Sequence, residues 1–339
     1  MTAPGYDADI LILSLDRTAD TLAAIASALA QTGVTRRVIV VDQGSRAENL
    51  RRLRRAVADC ADVILACLPD NLGVAGGRNH AAGLGQGRII IGLDNDAVFA
   101  SDRTVAQAVA ALDADRTLAA VGLRILTYTD NTDDLASWGY PAALLPRAGL
   151  CFDAVTFVGA GHAIRRSAWN DVGGYDSRLF FCWEEYDFCL RAIAQGWRIR
   201  YRGDIAVRHK VAAEARENWS DRRWFFFVRN RLYIARKHGA AWWALLPRIV
   251  GYVLRGLRNG LGAVTLRAIA AAIRMQAEMP RAPLPPQARA YLRRHDGLQR
   301  GSLLSRLGAE VFAVLPRPAP ARAPQQPEHQ RIIPKIAPP

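Results

Sequence analysis

The first residues able to do chemistry are two acids one position apart, Asp94 and Asp96 in the stretch Leu93-Asp94-Asn95-Asp96-Ala97-Val98. A hard divalent cation such as Mg²⁺ or Mn²⁺ takes oxygen ligands and keeps coordination positions open for substrate phosphates. Two carboxylates at this spacing suit that task, and a cation held there stabilises charge on a departing phosphate group. Alone the pair is a weak signal, because Asp is common in turns. Its neighbours add to it. Val40-Val41-Asp42-Gln43-Gly44-Ser45 ends an apolar run in an acid and a glycine turn, a form suited to reading a base or ribose. Asp70-Asn71-Leu72-Gly73-Val74-Ala75-Gly76-Gly77-Arg78-Asn79 is a glycine-rich entry to a helix, which brings backbone N–H groups and Arg78 toward a diphosphate. Close packing of helix on sheet is the plainer use of the same glycines. Further on, Trp183-Glu184-Glu185-Tyr186-Asp187 sets three acids in four positions at a helix start. Glu184 can be a cap favoured by the helix dipole, or a carboxylate there can take a proton from an attacking hydroxyl. Asp187 can orient the attacking group or hold the helix start.

These groups need a frame. Residues 10–15, 38–41, 63–67 and 89–93 read as strands apolar on both faces, with helices at 18–31, 49–58 and 74–84 between them. That alternation predicts a parallel sheet covered by helices on both sides. Ligands bind such sheets outside the carboxyl ends of the strands, where Asp16, Asp42 and Asp94 all fall. A helix is expected at 102–112, a strand at 118–126, an aperiodic aromatic stretch at 127–150, and a strand over 155–164 interrupted by Gly159-Ala160-Gly161. A helix at 183–195, short strands at 198–201 and 205–208 ending near His209, and an aromatic, basic helix at 219–237 follow.

The formal charge of +14 is unevenly placed: residues 1–197 carry 18 Lys and Arg against 23 Asp and Glu, whereas residues 198–339 carry 27 against 8. The basic part implies an anionic surface as partner. Residues 241–277 read as two helices broken near Asn259-Gly260 and Gly262, with Arg248, Arg255 and Arg258 on one face and Arg267 and Arg274 on another. Led by Trp242 and Trp243, such a pair fits a membrane surface, and it equally fits packing against the rest of the chain. Nucleic acid is disfavoured as a partner, because the arginines alternate with apolar runs and no nucleic-acid module is present. Residues 316–339, rich in Pro, are expected to be disordered. Five cysteines without a CxxC pair predict reduced thiols. The chain opens without a basic start and apolar stretch, and no uncharged run approaches the ~20 residues that span a bilayer. The protein is therefore expected in the cytoplasm, peripheral on the inner membrane face if the basic helices bind lipid.

The VVDQGS turn, the DNLGVAGGRN segment, LDNDAV, and GGYD followed by WEEYDFCLR occur in an order that resembles family 2 glycosyltransferases of the GT-A fold, close to the rhamnosyl- and galactofuranosyltransferase-like members. The likeness covers about residues 8–238, including Arg229-Asn230-Arg231. It implies an α/β fold, a Rossmann-like mixed and mainly parallel sheet flanked by helices, as catalytic domain 1–238. A basic amphipathic helical segment 239–280 and a Pro/Arg-rich tail 281–339 follow. The implied reaction moves a sugar, with inversion, from a nucleotide-diphosphate sugar to an acceptor hydroxyl. The acceptor would be a saccharide or lipid-linked saccharide in cell-envelope polysaccharide or glycolipid assembly. Carried over by position, Asp42 contacts the nucleoside, Asn71, Gly73, Arg78, Asn79 and Asp94 line the donor, and Asp94 and Asp96 serve the Mn²⁺ or Mg²⁺ and the diphosphate. His209 falls where some members place a third metal ligand. The family's Glu-Asp-x-Asp puts the base on its second acid, here Glu185; the change from Asp to Glu keeps Glu184 and Asp187 as candidates. His80 and His162 read as structural, and Trp138 and Trp183 either stack on a sugar or pack. An inactive nucleotide-sugar-binding scaffold is the rival reading, though every acid position is filled. A sugar nucleotidyltransferase would carry a Gly-rich basic loop where this chain has Ser14-Leu15-Asp16-Arg17-Thr18.

Overall fold

The structure, a computed structural model, describes residues 6–210 and 221–301. The chain begins by alternating strand and helix: β1 (Ala8–Ser14), α1 (Thr18–Leu29), β2 (Arg36–Gln43), α2 (Ala47–Val57), β3 (Val63–Leu68), α3 (Gly73–Leu84) and β4 (Ile89–Leu93). β5 (Ala97–Phe99), α4 (Thr104–Ala114), β6 (Leu118–Thr127), β7 (Cys151–Ala154), β8 (Gly161–Arg165), α5 (Arg166–Val172), α6 (Glu184–Ala194) and β9 (Arg198–His209) follow. All the strands join one sheet in the order β3-β2-β1-β4-β8-β6-β9-β5, with β7 on β9. β1 to β4 are mutually parallel, and β8 runs antiparallel between β4 and β6.

Successive residues of a strand point to opposite faces, and both faces here are apolar. Ile10, Ile12, Val38 and Val40 pack with Ile25, Leu53 and Val105 of α1, α2 and α4. Leu11, Ile39, Val41 and Ile90 pack with Ala75, Trp169 and Phe188 of α3, α5 and α6. The result is the expected three-layer α/β arrangement.

Three expectations change. Residues 155–160 are not a strand; Val155 and Phe157 are buried, but only β8 from Gly161 onward pairs with its neighbours. The two short strands expected at 198–208 are one strand, β9, which departs from β6 between Arg202 and Ala206 and then rejoins it. β7 occupies part of the stretch bordering the expected loop.

The remaining helices are α7 (Asp221–Lys237), α8 (Trp242–Arg258), α9 (Gly262–Ala277) and α10 (Pro286–His295). α7, α8 and α9 share a core of their own, built on Trp224, Leu232, Leu245, Tyr252, Val264 and Ala268. Trp224 Nε1 donates to Thr265 Oγ1 at 2.8 Å across it. Gly260, at φ +73°, makes the break between α8 and α9. α10 lies within the stretch read as a tail, and it returns to the sheet: Ala288 joins the core, and Tyr291 Oη lies 3.1 Å from the carbonyls of Ala154 and Ile199. The expected disorder at 316–339 lies outside the described residues. No helix among the described residues is long and apolar enough to cross a membrane, and all five cysteines are unbridged.

Candidate active site

Register sets the site. Ser14 stands opposite Asp42, and Ile12 opposite Leu93, so β1, β2 and β4 end at one edge. Asp94 leaves β4 and Asp96 follows in the turn to β5, closed by Ala97 N donating to Asp94 O at 3.0 Å. β5 pairs with the end of β9, with Ala97 opposite His209, which delivers the imidazole to the same turn. One donor atom each of Asp94, Asp96 and His209 lie within 4.8 Å of one another. Two carboxylates and one imidazole fit a cation such as Mn²⁺ or Mg²⁺ and leave positions open.

The imidazole is held from behind. Its Nε2 lies 3.3 Å from Asp96 Oδ1 and its Nδ1 3.2 Å from Asp134 Oδ2. Asp134 is buried and also accepts Ser137 Oγ at 2.5 Å. A carboxylate behind a ligating histidine fixes the ring's orientation and tautomer. Burial disfavours the imidazolium, but the hydrogen bonds to Asp134 and Asp96 and the charges of Asp96 and Asp94 outweigh it and push His209 up to about 10. For Asp96, burial raises the pKa, while His209 and Arg17 (Nη1 to Oδ2, 2.6 Å) lower it further, leaving a net depression.

Asp94 is half-exposed and is held by Arg78, whose Nη2 donates to its Oδ1 at 2.6 Å and to Gly159 O at 2.8 Å. Arg78 is buried, with His162 Nε2 3.1 Å from its Nη1. Gly92 gives them room, because a methyl there would overlap both His162 and Arg78. His162 stacks on Phe157 at 4.4 Å and has a packing role. Burial lowers the Arg78 pKa, but Asp94 first among its neighbours reverses this, and the guanidinium stays charged.

Beside this pair stand the glutamates. Glu185 lies against Gly159, where a side chain would strike its carboxylate. Burial raises Glu185 above the usual carboxylate range, with Arg78 opposing. Glu184 is raised much further, by burial and then by the charge of Glu185, and its Oε2 has no hydrogen-bond partner. The two environments separate the pair, pressing Glu184 toward the neutral acid more strongly than Glu185.

The segment leading into α6 is strained. Phe180, Cys182 and Trp183 have φ of 63°, 71° and 74°, a region that non-glycine residues rarely occupy and that persists only where surroundings enforce it. The Arg229-Asn230-Arg231 element of α7 does the enforcing. Asn230 Nδ2 donates to the carbonyls of Leu179, Phe181 and Cys182, each at 2.8 Å. Arg229 Nη2 reaches Arg178 O and Leu179 O at 2.8 and 2.9 Å. Arg231 covers the rings of Trp183 and Tyr186.

Other expected residues shape this edge more than they face it. Asp42 is buried, its two oxygens taken by Ser45 N (3.0 Å) and Ser45 Oγ (2.5 Å). Asn71 Oδ1 caps Gly73 N at 2.7 Å, and Gly73, at φ +73°, passes under Phe180. Asn79 ties down Tyr175 through both its backbone groups, at 2.9 and 2.8 Å. Asp187 is displaced altogether: it is wholly buried and accepts Lys237 Nζ and Arg191 Nε at 2.8 Å and faces His238 Nε2 at 3.2 Å. Burial raises its pKa, but His238, Arg191 and Lys237 hold it well below the usual range. Asp187 thus lies in an internal ion cluster at the start of α6. Trp138 packs edge-on against Tyr140 and Tyr201, and Trp183 Nε1 donates to Phe227 O at 3.1 Å. Asp134 was not singled out in the sequence, where it is one acid in an aperiodic stretch with no spacing signal toward His209.

A mixed sheet with acids and a histidine gathered at its carboxyl edge, next to paired glutamates, is the arrangement of the GT-A fold. Residues 9–173 match the family Glycosyl transferase family 2. Among solved structures, the mannosyltransferase PcManGT from Pyrobaculum calidifontis, in complex with GDP-Man and Mn²⁺, is 19% identical with a TM-score of 0.56, over 91% of this chain and 86% of that one. GalNAc-T7, crystallised with UDP, GalNAc and Mn²⁺, is 14% identical with a TM-score of 0.60, over 91% of this chain and 58% of that one. These likenesses establish the fold. No curated protein sequence matches the chain.

Proposed function

We propose that the protein is an inverting, metal-dependent glycosyltransferase that moves a sugar from a nucleotide-diphosphate sugar to an acceptor hydroxyl. The observation that carries this reading is the convergence of Asp94, Asp96 and His209 within 4.8 Å, joined through Arg78 and Gly159 to Glu185. The relatives' complexes with GDP-Man or UDP and Mn²⁺ support the choice of donor class and cation. A divalent cation held by Asp94, Asp96 and His209 would stabilise charge on the departing diphosphate. Arg78 keeps Asp94 in place for that role. Glu185, lifted by burial toward the working pH, takes the acceptor's proton as its oxygen bonds to the anomeric carbon and the bond to the diphosphate breaks. A single base and no covalent intermediate give inversion. Glu184, neutral beside it, adds no opposing charge. The acceptor is a saccharide or lipid-linked saccharide in envelope polysaccharide or glycolipid assembly, met by a peripheral enzyme at the inner membrane face.

The test is a panel of nucleotide-sugars with Mn²⁺ or Mg²⁺, followed by donor hydrolysis and binding. One donor should be selected in a metal-dependent way, with binding or turnover lost in Asp96→Ala. Glu185→Gln should keep donor affinity and lower transfer ~10²–10⁴-fold. Donor binding without turnover would favour the inactive scaffold, and binding of no donor, with or without metal, would sink the proposal.

A further inference from the structure

We propose that the outward face of α8, with the adjoining exposed face of α9, is a docking surface for an anionic phospholipid bilayer, on which the helices lie in the plane of the interface. α8 uses one side inward: Leu245 and Tyr252 enter the core shared with α7 and α9, and Gly256 closes on Thr265. Its other side is also apolar. Trp243, Leu246, Val250, Leu254 and Leu257 recur at spacings of three and four and are 77%, 56%, 54%, 43% and 63% exposed. At 100° per residue they form one stripe, roughly 21 Å long at about 1.5 Å per residue. On α9, Leu266 and Ile273 are likewise exposed, with Arg267 and Arg274 exposed next to them. A continuous exposed apolar stripe on a packed helix marks an interaction site.

Charge identifies the occupant. Arg255 turns inward over the Trp224 ring, whereas Arg258, Arg267 and Arg274 are exposed, and residues 242–277 contain no Asp or Glu. A second copy of the same face would set arginine against arginine, which costs free energy. An anionic headgroup layer meets those arginines while the leucines enter the acyl boundary, and Trp243 at the helix start suits the interface, where one end of the ring is wet. The helices are too short and too charged to span, so the contact is parallel to the surface. The surface is argued from α8 and α9 alone, whereas its use in presenting an acceptor rests on the transferase reading above.

The experiment is co-sedimentation of the full chain with vesicles of phosphatidylcholine, alone and mixed with phosphatidylglycerol. Wild type should bind the mixed vesicles and not the neutral ones. Leu246→Ser/Leu257→Ser and Arg267→Glu/Arg274→Glu, all exposed positions that leave the helix core intact, should each weaken binding about tenfold or more. Equal binding by wild type and both variants, or no vesicle binding by wild type, would overturn the inference. A concentration-dependent dimer abolished by Leu246→Ser/Leu257→Ser, without vesicle binding, would assign the face to a second copy instead. Hydrolysis of a soluble donor on the same preparations should be unchanged. Its absence in wild type, with vesicle binding intact, would strike the transferase reading and leave the surface standing.

Discussion

Asn230 offers a quantitative test of how the segment leading into α6 is held. Its Nδ2 carries two protons for the carbonyls of Leu179, Phe181 and Cys182, all at 2.8 Å, and the side chain is wholly buried. Asn230→Ala strands at least two of those oxygens in a segment that already contains Phe180, Cys182 and Trp183 at positive φ. Each stranded buried group costs about 1–3 kcal/mol, and a water filling the vacated space recovers part of that. The expected loss is about 2–4 kcal/mol, roughly 5–12 °C in Tm for a domain of this size. Relaxation of residues 180–183 moves Glu184 and Glu185, the first residues of α6. Misplacement of reacting groups by ~1 Å costs on the order of 10²-fold in rate. Thermal denaturation and metal-dependent donor turnover measure the two effects on one preparation. Asn230→Asp, which keeps the shape but offers only acceptors to three carbonyls, should be no better than Asn230→Ala. A variant with Tm within ~1 °C of wild type and unaltered turnover would refute the argument that α7 enforces this strain.

Three further outcomes follow from the same geometry. Asp134→Asn removes the charge behind His209 and should weaken Mn²⁺ binding about 10–100-fold by calorimetry; unchanged affinity would mean that the ring needs no such support. His209 is pushed up to about 10 from an ordinary value near ~6.5, so its contribution to metal-free stability is present in full below ~6.5 and is lost as pH rises through about 10. Denaturation in chelator across that window should therefore show a decline that His209→Ala lacks. Asp187→Asn leaves the buried charges of Lys237 and Arg191 poorly matched and should cost about 3–5 kcal/mol in denaturant titrations. Its donor hydrolysis per folded molecule should stay near wild type, and selective loss of turnover without loss of stability would return Asp187 to the active site.

The parts of the fold that could be read from the sequence are those in which burial writes a pattern. β1 to β4 are apolar on both faces and separated by helical stretches, so their order and the acids at their carboxyl edge were visible. β5 and β7 span three and four residues, too few for any periodicity. Residues 155–160 depart from the strand their apolar pattern implies because their backbone turns to other partners: Gly159 O accepts from Arg78. Asp42 stood where a nucleoside contact was expected, but Ser45 three positions on takes both its oxygens, a local bond that competes with any ligand. Asp134 meets His209 across 75 residues, a pairing that only topology creates. α8 and α9 left packing and lipid contact equally open because their two sides are both apolar, and the inward side does pack.

The detour in β9 has a consequence for descent. Leu123 faces Arg202 and Arg124 faces Ala206, so residues 203–205 are extra length relative to β6, anchored by Gly203 N donating to Leu150 O at 3.1 Å. His209 reaches Asp96 only because that length is what it is. Deleting one residue there would advance the strand end by one position and bring Lys210 to the place of the imidazole, a cation where a ligand is needed. A lineage could thus lose this convergence through a one-residue deletion in the bulge of β9 while keeping the histidine and the acids it meets in their written order. Such a descendant would look intact by its motifs and differ only in its spacing.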